Sequence, residues 1–190
     1  MGKPLFDFSR LMELDGGIGS LLEDYAFLYG FICLYRSKRI AEVGTNTGIS
    51  SIVMAQALED CGEEGHIFTV DLDPEALSTA RRQISGFGLE NRITAIQGDV
   101  TALPAGNYDL AFIDGGHIYQ DVKRDLEVLY PRSSLVLLHD AVISPDVKRA
   151  TEEYAGQKTL LSYPVGRHYS FGKMTPTRTA PGWYILVPQK

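Results

Sequence analysis

The chain has 190 residues and a formal net charge of −6, and it carries no basic tract, which argues against a broad nucleic-acid footprint. Hydrophobic residues make up 44% and charged residues 22%, the balance of an ordinary globular domain rather than of a disordered or fibrous chain. No apolar run reaches the roughly 18 residues that a membrane helix needs, and the start, Met1-Gly2-Lys3-Pro4, is too polar for a secretory leader. The expected location is cytoplasmic.

In chain order, residues 18–36 are apolar and aromatic at helical spacing, with Ile18, Leu21, Leu22, Tyr25, Leu28 and Tyr29 forming one packing stripe. Gly30 is expected to weaken or split this helix. Cys33 and Cys61 lie in or beside apolar segments, outside any CxxC, and read as ordinary buried or half-buried thiols. Residues 39–43 are a short apolar strand that runs into Gly44-Thr45-Asn46-Thr47-Gly48, and a helix follows over 49–58. Residues 67–70 are a second strand, with Asp73 as N-cap and Pro74 in the first turn of a helix over 75–85. Strands over 93–97, 108–113 and 135–138 alternate with helices over about 118–129 and 145–156. Two last strands, 159–163 and 183–187, flank a long irregular connection and are expected to form an antiparallel hairpin at the sheet edge.

This alternation predicts an α/β, Rossmann-like, doubly wound and mostly parallel sheet with an antiparallel last strand. The whole chain, 1–190, reads as one domain, with a helical segment over 1–37 against an α/β core over 38–190. In such sheets ligands collect at the carboxyl ends of the strands. Glu42, Asp71, Asp99, Asp114 and Asp140 fall at five predicted strand ends. One acid there is an ordinary turn residue; five form a pattern.

The loop from Gly44 to Gly48 turns a strand into a helix, whose free N–H groups point towards a ligand space. Asn46 stands where a dinucleotide loop needs its middle glycine, so a nicotinamide oxidoreductase is disfavoured. No Lys-Ser or Lys-Thr follows Gly48, so this is not a triphosphate-cradling loop. A ligand with adenosine but no phosphate fits, and S-adenosylmethionine is one. Glu42 is placed to hold its ammonium, directly or through water. Asp71, or Asp73 beside it, is placed to accept the ribose hydroxyls, and Asp99 or its backbone to meet the adenine amino group.

Taken in order, AEVGTNTGIS, TVDLDP, QGDV, YDLAFIDGGHIYQDVKRDLEVL and LVLLHDAV resemble class I S-adenosylmethionine-dependent methyltransferases. The nearest branch is the small, often metal-dependent group similar to catechol and caffeoyl-coenzyme A O-methyltransferases, with relatives acting on antibiotics and sugars. The resemblance runs from about residue 38 to 190 and implies a seven-stranded sheet. It gives cofactor roles to Glu42, the loop residues Gly44, Thr45, Asn46 and Gly48, Asp71, Asp99 and Asp114. It places Mg2+ or a similar divalent ion such as Mn2+ on Asp114 and Asp140. The expected further ligand, Asn, is Ala141 here, and the neighbouring His139 is the candidate replacement. The catalytic lysine of catechol-type members falls near His117.

The chemistry that follows is metal-assisted O-methylation of a small-molecule hydroxyl, with Asp114 and His117 as catalytic residues and His117 as proton acceptor. A metal-free methyltransferase that uses both carboxylates for the acceptor, and a cofactor-binding scaffold without turnover, are the alternatives. Trp183, Tyr163, Tyr169 and Phe171 are candidate acceptor walls, and residues 166–181 a candidate flap with Arg167, Lys173 and Arg178. The N-terminal segment either covers the pocket or makes a homodimer contact. No nucleic-acid or membrane partner is expected.

Overall fold

The computed structural model of the chain describes residues 6–14, 22–154, 157–161, 168–170, 173–175 and 182–188. Ile18, Leu21, Tyr163, Arg167, Phe171 and Arg178 lie outside them, so the proposed flap falls mostly beyond the described residues.

After a short 3-10 turn over Phe8–Glu13, α1 spans Leu22–Tyr35 and β1 Arg39–Val43. Then come α2 (Ile49–Asp60), β2 (His66–Asp71), α3 (Pro74–Phe87), β3 (Ile93–Gln97), β4 (Tyr108–Ile113), α4 (Tyr119–Leu129) and β5 (Ser133–Leu138). The tail holds α5 (Pro145–Glu152), β6 (Gln157–Leu161), β7 (His168–Ser170), β8 (Lys173–Thr175) and β9 (Trp183–Val187). The main sheet has the order β3-β2-β1-β4-β5-β9-β6. Neighbours from β3 through to β5 pair in parallel, and β9 pairs antiparallel with both β5 and β6.

In the tail the expected seven-stranded sheet must be corrected in its connection and not in its edge, where β6 and β9 do pair antiparallel as the sequence predicts. β9 sits inside the sheet between β5 and β6, so six strands run in one direction and β9 alone opposes them. β7 and β8, read as irregular connection from sequence, pair antiparallel in a separate two-stranded sheet. The physical reason is visible in β9 itself. Trp183 and Tyr184 are both buried, on opposite faces, so this strand needs cover on both sides.

Alternation within the strands splits the core in two. Ile40, Leu110, Phe112, Leu135, Leu137 and Trp183 face a layer made with α1, α2 and α3. Ala41, Ala111, Ile113, Val136, Leu138 and Tyr184 face α4 and α5. Such two-sided burial is the period-two pattern of a sheet covered on both faces. Asp73 caps α3 by accepting from the N–H groups of Glu75 and Ala76, with Pro74 following, as the sequence predicts.

Two local expectations fail. Gly30 does not split α1, which runs through it; open space surrounds that position, so packing of the rest of the helix carries it. Cys33 and Cys61 are not separate thiols: they pair as a disulfide, with Cα atoms 5.8 Å apart. Their meeting depends on α1 lying along α2, which no local pattern reveals. Among the described residues, no helix is long and apolar enough to cross a membrane.

Candidate active site

β1 has β2 on one side and β4 on the other, so the chain reverses its sheet order there, and a crevice opens at the carboxyl ends. The crevice is a cavity of about 390 Å³ lined by Gly44, Asn46, Asp71, Gly98, Asp99 and Asp114, among others. Gly44 makes it possible. Its φ is +96°, and a Cβ there would stand 2.3 Å from the Asp114 carbonyl oxygen, so only glycine lets the end of β1 cross against the end of β4.

One of the acids that the sequence offers as ligand contacts, Asp71, holds this loop. Asp71 accepts from the Asn46 N–H at 2.7 Å and from the Asp73 N–H at 3.0 Å. It still lines the cavity, with lone pairs to spare. Asp99 accepts from the N–H and the hydroxyl of Thr101, which lower its pKa, and also lines the cavity.

Three other predicted residues stand back from it. Glu42 is fully buried and takes hydrogen bonds from the Ser50 and Ser51 hydroxyls. Burial raises its pKa to about 7 against those hydrogen bonds. The Thr45 hydroxyl is buried against that of Thr69, 2.6 Å away. Gly48 opens α2 with φ +86°, and a Cβ there would lie 3.0 Å from Ala80 Cβ, so its smallness serves packing against α3.

Beyond Asp114 the chemistry changes. Asp114, His117 and Asp140 each offer a ligand atom, all within 4.8 Å of one another. His117 Nε2 is 3.0 Å from Asp140 Oδ2 and 3.7 Å from Asp114 Oδ1. The contact with Asp114, joined by the charge of Asp140, raises the His117 pKa. Asp140 holds a left-handed backbone, φ +57°, which a non-glycine residue adopts at a cost and which recurs at functional sites. His139, expected among the metal ligands, lies on the buried side of the group. Its Nδ1 is 3.2 Å from Asp114 Oδ1 and 3.3 Å from Asp140 Oδ1, and its ring is 4% exposed. Burial works against its charge, yet Asp114, Asp140 and Asp24 together raise its pKa well above the usual value. Burial likewise pushes Asp114 up, but the charge of His139 and hydrogen bonds from both histidines bring it down to about 2. Ala141, in the place of the expected Asn, is buried and has no side-chain donor.

Sequence reading missed Asp24 and Asp125. Asp24 stands four residues before Leu28 and eight before Ile32 on the buried face of α1, and Asp125 lies between the buried Val122 and Leu126 of α4. An acid inside an apolar stripe was the available signal. Asp125 also lines the cavity, and burial raises its pKa to about 7. Trp183, a candidate acceptor wall, instead packs its ring on His139, centroids 4.8 Å apart.

A family model described as a methyltransferase domain matches residues 41–141, more than half of the chain. A probable O-methyltransferase of Mycobacterium tuberculosis is 31% identical over 132 residues, covering 66% of this chain and 55% of that protein. The chain thus spans about half to under two thirds of the length of the curated relatives it matches. Among solved structures, an O-methyltransferase from Bacillus cereus in complex with SAH has a TM-score of 0.67 at 17% identity, covering 88% of this chain and 81% of that one. An O-methyltransferase from Streptomyces achromogenes involved in tomaymycin synthesis, in complex with SAM, has a TM-score of 0.68 at 19% identity, covering 96% and 86%. At that identity the structures share the fold.

Proposed function

The chain belongs to the methyltransferase-domain family, and from that premise we propose that it transfers a methyl group from S-adenosylmethionine to a hydroxyl of a small molecule with the help of a divalent cation. The observation that carries the reading is the grouping of Asp114, His117 and Asp140 beside a cavity that Asp114 also lines. The names of the relatives, O-methyltransferases, support the same acceptor atom.

S-adenosylmethionine supplies a methyl on a sulfonium centre. Asp71 and Asp99 offer acceptors to its ribose and adenine, and Asp114 offers one to its ammonium. Glu42 acts from behind, by holding Ser50 and Ser51 at the start of α2. When bound, a divalent ion supplies charge that acidifies an acceptor hydroxyl and orients it. The two carboxylates suit a hard cation such as Mg2+, while the imidazole of His117 shifts preference towards Mn2+ or iron. His117 Nε2 faces both carboxylates, so it serves as the third ligand or takes the hydroxyl proton, one role excluding the other in a given step. Ile118 follows His117, and Val142 and Ile143 follow Asp140 closely; all three are exposed, which favours an acceptor with an apolar body.

A second reading draws on Ala141 and on the histidines. His117 and His139 already pair with the two carboxylates, so the group can bind an acceptor without a metal.

Calorimetric titration of metal-stripped protein with S-adenosylmethionine, then with Mg2+ and Mn2+, separates the two. The expected result is cofactor binding without metal, plus a separate metal heat lost in Asp114→Ala and Asp140→Ala. Methyl transfer in those variants should fall by on the order of 1000-fold. Full transfer activity after exhaustive metal removal selects the metal-free reading. In His117→Ala, loss of the metal heat marks a ligand, and loss of turnover with the heat intact marks a base. Absence of cofactor binding overturns the proposal.

A further inference from the structure

We infer that Asp24, on the N-terminal helix, is a positioning residue that acts through His139 to fix the carboxylates of Asp114 and Asp140. The inference rests on the reading of those two acids as the centre of the site.

Asp24 is an acid on the buried face of α1 and is 1% exposed. A carboxylate is not buried there without a partner that repays the loss of water. Trp183 donates its Nε1–H to Asp24 Oδ1 at 3.1 Å. The other oxygen, Oδ2, lies 3.5 Å from His139 Nε2 in an ion-pair contact, and that buried nitrogen has no hydrogen-bond partner among the described residues. The indole is pinned in turn, 4.9 Å from the Phe27 ring and 5.5 Å from the Phe112 ring, while its edge-on contact holds the His139 imidazole.

The consequence lies on the far side of His139. With Nε2 facing Asp24, Nδ1 can face only the site, where it meets Oδ1 of both Asp114 and Asp140. Asp140 is thereby divided: Oδ1 faces His139 and Oδ2 faces His117 at the open side. A ring free to rotate would leave both carboxylates to the more exposed His117 alone. The arrangement joins α1, β5 and β9, and Asp24 and Trp183 both lie outside the matched family segment, residues 41–141. It is a feature of this chain's flanks supporting the family's centre.

The test uses the full chain with 15N-labelled histidine. In the native protein, the His139 ring resonances should show both nitrogens held, with slow exchange of their protons. Asp24→Asn should shift or broaden them, raise the Mn2+ dissociation constant at least tenfold and leave that of S-adenosylhomocysteine within twofold. Asp24→Glu should restore part of the metal affinity. Trp183→Phe keeps a ring but removes the N–H donor, and it should move the same resonances less; it decides the matter if Asp24→Asn does not fold. Unchanged His139 resonances in the folded variants overturn the inference, even if their melting temperature falls. If the native protein binds no Mn2+, the metal reading fails, and the ring resonances alone then decide the role of Asp24.

Discussion

The two halves of the crevice satisfy their acids in different ways. At the ends of β1, β2 and β3, the carboxylates of Glu42, Asp71 and Asp99 are occupied by hydroxyls and backbone N–H groups. At the ends of β4 and β5, Asp114 and Asp140 face His117 and His139. The first half is braced by hydroxyls and backbone N–H groups that do not titrate, and its one buried carboxylate, Glu42, is raised to about 7 by burial behind the cavity. The second half is held by charges that an ion or a proton can rearrange. On the proposed function, the first half would cradle the cofactor and the second would meet the reacting atoms.

Three experiments probe that division, taken from the largest effect. Gly44 is where the halves touch, and Gly44→Ala would drive a Cβ into the Asp114 backbone. It should cost about 4 kcal/mol or more in urea denaturation and abolish binding in both halves together. An alanine variant that folds normally and binds S-adenosylhomocysteine would show the crossing to be looser than described.

The Cys33–Cys61 bridge ties α1 to the end of α2, closing a separation of 28 residues. Its reduction, or Cys61→Ser, should lower stability by about 3 kcal/mol, read from denaturation with and without reductant. Because α1 carries Asp24, the loosened helix should weaken metal binding more than cofactor binding. Equal losses in the two would erase the distinction between the halves.

The smallest effect is a pH slope. The folded-state pKa of Glu42 is raised from 4.5 to about 7, so its contribution is complete below 4.5 and is lost as pH rises through about 7. Asp125, raised from 3.8 to about 7, acts in the same direction over the same range, and the raised histidines act in that direction only above 6.5. Stability should therefore fall between pH 4.5 and about 7, and Glu42→Gln should remove at most about 3 kcal/mol of that fall. An unaltered slope in the glutamine variant would mean that Asp125, not Glu42, sets it.

What the sequence revealed followed the range of each interaction. β1, β3, β4 and β9 have the bounds that their apolar runs predict, and Asp73-Pro74 starts α3 by local chemistry. Strand-end acids were legible because topology alone brings them together. Glu42 reads as a ligand contact in sequence, yet Ser50 and Ser51 of the following helix enclose it. The depth of His139 depends on α1, and the disulfide on the packing of α1 against α2. The position of β9 depends on which strands claim its two edges. Each is decided by partners far along the chain, beyond the reach of a periodicity.

The placement of β9 bears on the order of assembly. Its hydrogen bond from Trp183 to Asp24 spans 159 positions, so it closes one of the longest loops in the molecule. The β1–β5 sheet needs no partner from either end of the chain, while the surroundings of His139 wait for α1 and for β9. A nascent chain would shape the Gly44–Gly48 crevice before it could fix His139 against Asp114 and Asp140, so on the proposed function the reacting end of the site would be the last part to form.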